Sequence, residues 1–139
     1  MSDDFIDSNV FVYLFDETDA HKNAIARRVI EDALADGTGA ISYQVVQETL
    51  HVIMRKLPVP VTSPDAKQFL HRVLEPLWQI MPSATLIAGG IDIQDRYRYG
   101  FYDSLIIAAA LEAGCKRLLS EDMQHGQRID RLTIENPFL

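Results

Sequence analysis

Four acidic residues occupy positions from which carboxylates can act together: Asp7, Glu48, Asp103 and Asp122. Asp7 and Asp122 each come just after a short apolar run, whereas Glu48 and Asp103 stand in line with apolar residues at helical spacing. Carboxylates that converge repel one another, so a divalent cation is their natural counter-charge. Their hard oxygen atoms favour Mg²⁺ or Mn²⁺ over zinc. Such a site suits phosphodiester hydrolysis, because a bound ion activates water and stabilises charge on the leaving oxygen.

Each of these acids also has an ordinary structural explanation. Aspartate is among the best residues at a helix N-cap, which suits Asp7, and is common in turns, which suits Asp122. In the first turn of a helix, Asp103 would interact favourably with the helix dipole. Glu48 is the hardest to explain in this way. A charge within an apolar stripe must be paired, neutral or metal-bound unless the side chain reaches water.

Strands and helices alternate along the chain and must position these acids. The predicted strands cover residues 5–6, 40–41, 77–80 and 117–120, with a candidate fifth at 132–134. Predicted helices cover residues 21–35, 42–57 and 102–113, and others begin after Asp7, at Ser63 with a capping hydroxyl, and at Ser83. The sequence therefore predicts an α/β fold in one domain spanning residues 1–139. A mostly parallel central sheet of four to five strands is flanked by helices, and sites gather at the carboxyl ends of such strands.

Composition narrows the class of protein. The net charge of −7 argues against nucleic-acid binding, although bound divalent cations would reverse the local sign. A single cysteine, Cys115, excludes an internal disulfide and a cysteine-based zinc site. The longest apolar run, residues 105–111, is too short to cross a membrane, and the acidic start lacks a basic leader, so we expect a cytoplasmic protein. Three tyrosines are candidates for stacking on bases, or equally for core or dimer contacts: Tyr97, Tyr99 and Tyr102.

Several stretches together resemble the PIN domain, in particular its VapC-like members, the ribonuclease toxins of toxin–antitoxin pairs. They are Phe-Ile-Asp-Ser-Asn-Val at 5–10, the mid-helix Glu48, Tyr-Asp-Ser-Leu-Ile-Ile-Ala-Ala-Ala at 102–110 and Leu-Ser-Glu-Asp at 119–122. The resemblance implies a Mg²⁺- or Mn²⁺-dependent ribonuclease that cleaves RNA, is inhibited by a cognate antitoxin protein and often forms a homodimer. It implies Asp7, Asp103 and Asp122 as metal ligands. Glu48 would be a catalytic residue that acts through a ligand bond or a bound water.

Residues beside these acids leave alternatives open. Glu121 stands next to Asp122 and can substitute for it or assist it, although the register favours Asp122. His125 lies in a predicted turn, where it is either an exposed polar residue or a functional one. If it lies at the cleft, it can contact phosphate or protonate the leaving group. Three neighbouring serines are expected to hydrogen-bond the acids rather than to attack as nucleophiles: Ser8, Ser104 and Ser120.

Other functional classes fit the sequence less well. A haloacid dehalogenase-type phosphotransferase needs a second acid two positions after the first, where Asn9 stands. A response-regulator receiver needs an acidic pair after the first strand and a separate phosphorylatable aspartate, and the order of acids in this sequence does not fit that pattern. Two alternatives stay open: a non-enzymatic protein-binding α/β module, and a PIN nuclease that acts in RNA processing without a toxin role. In the non-enzymatic module, the four carboxylates would fail to converge or would bind no metal.

Overall fold

A six-stranded sheet forms the centre of the protein in the computed structural model, which describes residues 2–139. The strands are β1 (Asp4–Ile6), β2 (Gly39–Ser42), β3 (Trp78–Ile80), β4 (Arg117–Leu119), β5 (Arg128–Ile129) and β6 (Leu132–Glu135). Their order across the sheet is β3-β2-β1-β4-β6-β5, and only β5 and β6 are antiparallel. The prediction of an α/β fold with a mostly parallel sheet is confirmed.

The sheet has one strand more than the upper limit of the prediction, and that strand is β5. It contains only Arg128 and Ile129 and pairs with the start of β6 through a tight turn. Asp130 in this turn has a φ of 54°, in the left-handed region that aspartate tolerates better than most residues. Two residues are too few for an alternating pattern, so the pairing with β6 creates this strand.

Helices cover both faces of the sheet. They are α1 (Ser8–Val12), α2 (Ala20–Asp36), α3 (Tyr43–Arg55), α4 (Ser63–Phe69), α5 (Glu75–Leu77), α6 (Ala84–Tyr97) and α7 (Phe101–Glu112). A π-helical turn, Leu70–Leu74, joins α4 to α5. Among residues 2–139, no helix is long and apolar enough to cross a membrane.

Side-chain caps explain where several helices begin. Ser42 caps α3 as predicted, because its hydroxyl accepts the main-chain N–H of Val45 at 3.4 Å. The predicted cap of α4 was wrong by one residue. Thr62, rather than Ser63, accepts the N–H of Asp65 at 3.4 Å, so Ser63 is the first helical residue. Two adjacent hydroxyl residues offer the same chemistry, and the backbone selects the one in extended conformation.

The pair of glycines within α6 has a packing role. A Cβ atom added to Gly90 would lie 2.5 Å from Leu105 Cδ2 on α7, so glycine lets the two helices approach closely. At Gly89, a Cβ atom would make an ordinary contact of 3.7 Å with Ala108. Of the two glycines, Gly90 is therefore the one that the close approach of α6 and α7 favours.

The two central strands end side by side. Ile6 is in register with Leu119, and the N–H of Asp7 donates to the carbonyl of Leu119 at 3.0 Å. The segment after β1 and the segment after β4 therefore leave the sheet at the same carboxyl edge. Helix α3 also starts from this edge, immediately after β2.

Candidate metal centre

Asp7 is the most constrained of the candidate acids. It is 4% exposed, and its Oδ1 accepts the N–H of Ser8 at 2.7 Å as the N-cap of α1. Its Oδ2 accepts from the Ser120 hydroxyl at 2.8 Å and from the Asn9 amide at 3.3 Å. Burial raises the pKa of this carboxyl from 3.8 to about 7, against the lowering effect of the Ser120 and Ser8 hydrogen bonds. The N-cap explanation that the sequence offered for Asp7 is therefore confirmed.

Glu48 approaches from the middle of α3. Its side chain is half-buried and accepts hydrogen bonds from Gln44 Nε2 at 3.4 Å and from the Ser8 hydroxyl at 3.5 Å. Burial raises the pKa of the Glu48 carboxyl, and repulsion from Asp103 adds to this effect. The sequence allowed either a buried charge that needs a partner or a side chain that reaches water. The Glu48 side chain is intermediate, because it is only partly open to water.

The other two acids, Asp103 and Asp122, come from helix α7 and from the turn after β4. Asp103 lies half-buried in the first turn of α7, where burial and repulsion from Asp122 raise the pKa of its carboxyl. Asp122 is exposed in the turn after β4, and its Oδ2 accepts the Asn9 amide at 3.1 Å. Its main-chain N–H donates to the Ser120 hydroxyl at 3.3 Å.

The structure brings all four sequence-predicted acids to one edge, and we call them the acidic cluster: Asp7, Glu48, Asp103 and Asp122. Electrostatic repulsion links Asp7 to Glu48 and Asp103, links Glu48 to Asp103 and Asp122, and links Asp103 to Asp122. The cluster offers only carboxylate oxygens, a donor set that fits Mg²⁺ or Mn²⁺. Within residues 2–139, no three His, Cys, Asp or Glu side chains already stand in the compact geometry that holds an ion.

The two uncertain neighbours of Asp122 face elsewhere. The Glu121 carboxylate accepts the Tyr13 hydroxyl at 2.6 Å and pairs with Lys22 Nζ at 2.6 Å, so it points away from the acidic cluster. His125 is exposed, and its Nδ1 accepts the N–H of Asn136 at 3.0 Å. This hydrogen bond ties the turn that carries His125 to the segment after β6.

Sequence reasoning missed two residues that organise the cluster. The sequence placed Asn9 in the stretch that resembles the PIN domain and used it to exclude a phosphotransferase, but gave its side chain no role in the site, yet its amide contacts Asp7, Ser120 and Asp122. Gln44 lies one helical turn before Glu48, and this spacing alone could have suggested their hydrogen bond. Of the three serines, Ser8 and Ser120 bond the acids as expected, while Ser104 instead donates to the carbonyl of Tyr99 at 3.5 Å.

Comparison with protein families is consistent with this arrangement. The sequence pattern of the PIN domain matches residues 5–131. The chain belongs to the PIN-domain family. The resemblance predicted from the sequence is thus confirmed, and the family is one of nucleases. A comparison with curated proteins finds no match.

Solved structures of low sequence identity share the PIN fold of this protein. VapC20 of Mycobacterium tuberculosis, a toxin that cleaves the sarcin–ricin loop, has a TM-score of 0.63 at 19% identity, covering 86% of this chain and 91% of its own. FitAcB of Neisseria gonorrhoeae gives 0.68 at 16% identity, covering 97% and 98%. VapBC2 of Rickettsia felis, bound to a DNA fragment from its promoter, gives 0.65 at 19% identity, covering 96% and 97%.

Proposed function

We propose that this protein is a Mg²⁺- or Mn²⁺-dependent endoribonuclease that hydrolyses RNA phosphodiester bonds at the acidic cluster. The observation that carries the proposal is the convergence of four carboxylates at one edge of the sheet, where Asn9 bonds both Asp7 and Asp122 and Ser8 bonds Glu48. Their repulsion helps to raise the pKa of Asp7, Glu48 and Asp103. A divalent cation would remove that repulsion. Membership of the PIN family supports the nuclease class.

The proposed roles follow from how each side chain is held. Asp7 and Asp103 are the principal ligands, because Asp7 is fixed by two strong hydrogen bonds and Asp103 stands on the rigid first turn of α7. Asp122 completes the ligand set, and Glu48 acts through a ligand bond or a bound water. When bound, the ion supplies an activated water molecule and stabilises charge on the leaving oxygen.

Tyr102 is the proposed contact for an RNA base. It precedes Asp103 and is 67% exposed, whereas Tyr97 and Tyr99 are half-buried. Tyr102 also lines an apolar groove beside the acidic cluster, and its carbonyl accepts the Gln44 amide at 3.0 Å. An exposed aromatic ring next to a ligand suits the stacking of an unpaired base, which requires no net positive charge on the protein.

We further propose that the nuclease is the toxin of a type II toxin–antitoxin pair in the cytoplasm. The net charge of −7 is complementary to a basic antitoxin segment. The shared fold with VapC20 and VapBC2 supports this role. Exposed apolar side chains on and before α6 support homodimer formation: Met81, Ile87 and Ile91.

The deciding experiment compares RNA cleavage by the purified chain in Mg²⁺, in Mn²⁺ and in excess EDTA. We expect cleavage only with a divalent cation, and its loss in Asp7→Asn and Asp103→Asn variants that keep the wild-type circular dichroism spectrum. Metal-independent cleavage, or full activity in both variants, would overturn the nuclease proposal. The toxin role predicts growth arrest on expression and rescue by a small protein encoded next to it. Cleavage without growth arrest would instead favour a nuclease of RNA processing.

A further inference from the structure

Three side chains next to the acidic cluster form a second polar network. Lys22 Nζ pairs with Glu121 Oε2 at 2.6 Å, and the Tyr13 hydroxyl donates to Glu121 Oε1 at 2.6 Å. Lys22 Nζ also donates to the Tyr13 hydroxyl at 3.2 Å. The network thus joins the end of α1, the first turn of α2 and the loop after β4.

The position of Lys22 on its helix is electrostatically unfavourable. Lys22 lies in the first turn of α2, where the helix dipole disfavours a positive charge. Its ammonium group lies 5.1 Å from the centre of the Tyr13 ring and 5.8 Å from that of Phe138, both within cation–π range. The Lys22 and Glu121 side chains are only 31% and 24% exposed. This environment distinguishes the pair from a fully exposed surface salt bridge.

Glu121 connects this network to the acidic cluster through the main chain. Its N–H donates to Asn9 Oδ1 at 3.2 Å, while its side chain is held by Lys22 and Tyr13. On one side of Glu121, the Ser120 hydroxyl binds Asp7; on the other side stands Asp122. Fixing the Glu121 side chain therefore fixes the loop from which Asp122 projects.

We propose that Lys22 is a positioning residue for the acidic cluster. By binding Glu121, Lys22 holds the 120–122 loop with Asp122 facing the other carboxylates, and it keeps the Glu121 carboxylate out of the cluster. This inference rests on the proposed function, because the orientation of Asp122 matters only if the cluster binds a metal ion.

Removal of Lys22 has two opposite effects on metal binding, and this contrast makes the inference testable. By charge alone, removing a nearby cation makes the surroundings more negative and should tighten the binding of Mn²⁺. By position, the partly buried Glu121 loses its counter-ion and the loop carrying Asp122 loses its anchor, which should weaken binding. The inference requires the second effect to exceed the first.

The test is calorimetric titration of Mn²⁺ into the full chain, with no RNA present. We expect Lys22→Met to raise the Kd for Mn²⁺ about tenfold, in the range found when groups that orient metal ligands are removed. Lys22→Arg should restore most of the affinity. Adding Glu121→Gln to Lys22→Met should recover part of it, because glutamine leaves no stranded charge. The matched control is Lys116→Met, since Lys116 is an exposed lysine near Asp3, with a nitrogen–oxygen distance of 3.9 Å, at the opposite edge of the sheet.

The outcomes separate this inference from the proposed function. Unchanged or tighter Mn²⁺ binding by Lys22→Met, or an equal weakening in Lys116→Met, overturns the role of Lys22 while leaving the nuclease intact. Absence of both Mn²⁺ and Mg²⁺ binding by the wild-type protein overturns both. If Lys22 only contacted RNA, KM for RNA would rise while the Kd for Mn²⁺ stayed constant, and that result also counts against the inference. If thermal melting shows that Lys22→Met does not fold, Lys22→Gln is titrated instead, with the same outcomes.

Discussion

The side-chain amide of Asn9 donates to Asp122 at 3.1 Å although the two residues are 113 positions apart in the sequence. The same amide lies 3.3 Å from Asp7 Oδ2, so one uncharged group links two carboxylates that would otherwise repel each other. Asn9 Oδ1 at the same time accepts the N–H of Glu121. Asn9 therefore sets the spacing between the segment after β1 and the segment after β4.

Replacement of Asn9 should disrupt the acidic cluster without unfolding the protein. We expect Asn9→Ala to weaken Mn²⁺ binding by roughly tenfold and to lower RNA cleavage in proportion, since the Asp7–Asp122 bridge is lost. Calorimetry and cleavage assays measure the two effects. Asn136→Ala is the control, because the Asn136 side chain forms a local hydrogen bond in which its Oδ1 accepts the main-chain N–H of Phe138 at 2.9 Å. Wild-type Mn²⁺ affinity in Asn9→Ala would contradict this role for Asn9.

The pH dependence of stability should reveal the buried Asp7 carboxyl. Its pKa of about 7 in the folded protein exceeds the ordinary 3.8 because of burial, so the folded state binds more protons than the unfolded state between these values. The free energy of unfolding in EDTA should therefore fall as the pH rises from about 4 to about 7. The decrease is of the order of 3 kcal/mol.

Urea unfolding of the wild-type protein and Asp7→Asn, each at pH 5 and pH 8, tests this expectation. Asp7→Asn should show a smaller decrease rather than none, because the raised pKa values of Glu48 and Asp103 act in the same direction. Saturating Mn²⁺ should stabilise the wild-type protein more at pH 8 than at pH 5, because the ion binds the deprotonated cluster. Parallel pH profiles for the two proteins would exclude a raised pKa at Asp7.

Replacement of Tyr102 separates substrate binding from chemistry. Because Tyr102 is exposed beside Asp103 and makes no side-chain hydrogen bond to the acidic cluster, Tyr102→Ala should raise KM for single-stranded RNA several-fold. Loss of base stacking accounts for about 1–3 kcal/mol. Tyr102→Phe keeps the ring and serves as the matched control. A fall in kcat with unchanged KM, or equal effects in both variants, would argue against stacking.

The two adjacent glycines of α6 should respond differently to alanine. Gly89→Ala should raise the free energy of unfolding by up to about 1 kcal/mol, because alanine favours the helix and its methyl group meets only Ala108 at 3.7 Å. Gly90→Ala should be less stable than Gly89→Ala by about 1–3 kcal/mol, since its methyl group would press on Leu105. Urea unfolding measures both values. Equal stabilities would show that the crossing of α6 and α7 adapts freely.

The proposed homodimer can be tested at the exposed apolar surface of α6. Ile87 and Ile91 lie one helical turn apart and are both exposed, so glutamate at either position should abolish association. Light scattering after size-exclusion chromatography gives the mass in solution. A dimeric wild-type protein whose Ile87→Glu variant stays dimeric would place the contact elsewhere on the surface.

Local chemistry in the sequence was sufficient to predict much of the fold and to propose the four acids as site residues. Apolar spacing predicted the main helices, Ser42 was identified as the cap of α3, and five strands were located because each contains a short apolar run. Asp7 and Asp122 were found because sites follow strand ends in parallel sheets. Glu48 was singled out because an unpaired charge within an apolar helix stripe is costly to bury. All of these signals lie within a few residues of the position concerned.

Contacts between distant segments were decided only by the tertiary structure. The Asn9 bridge and the pairing of Glu121 with Lys22 each depend on a partner that the neighbouring sequence does not indicate. Glu121 and Asp122 are adjacent acids with nearly the same chemistry, and the sequence favoured Asp122 on register without excluding Glu121. Packing turned one carboxylate toward a lysine and the other toward Asn9, because each took the hydrogen-bond donors that the fold placed within its reach.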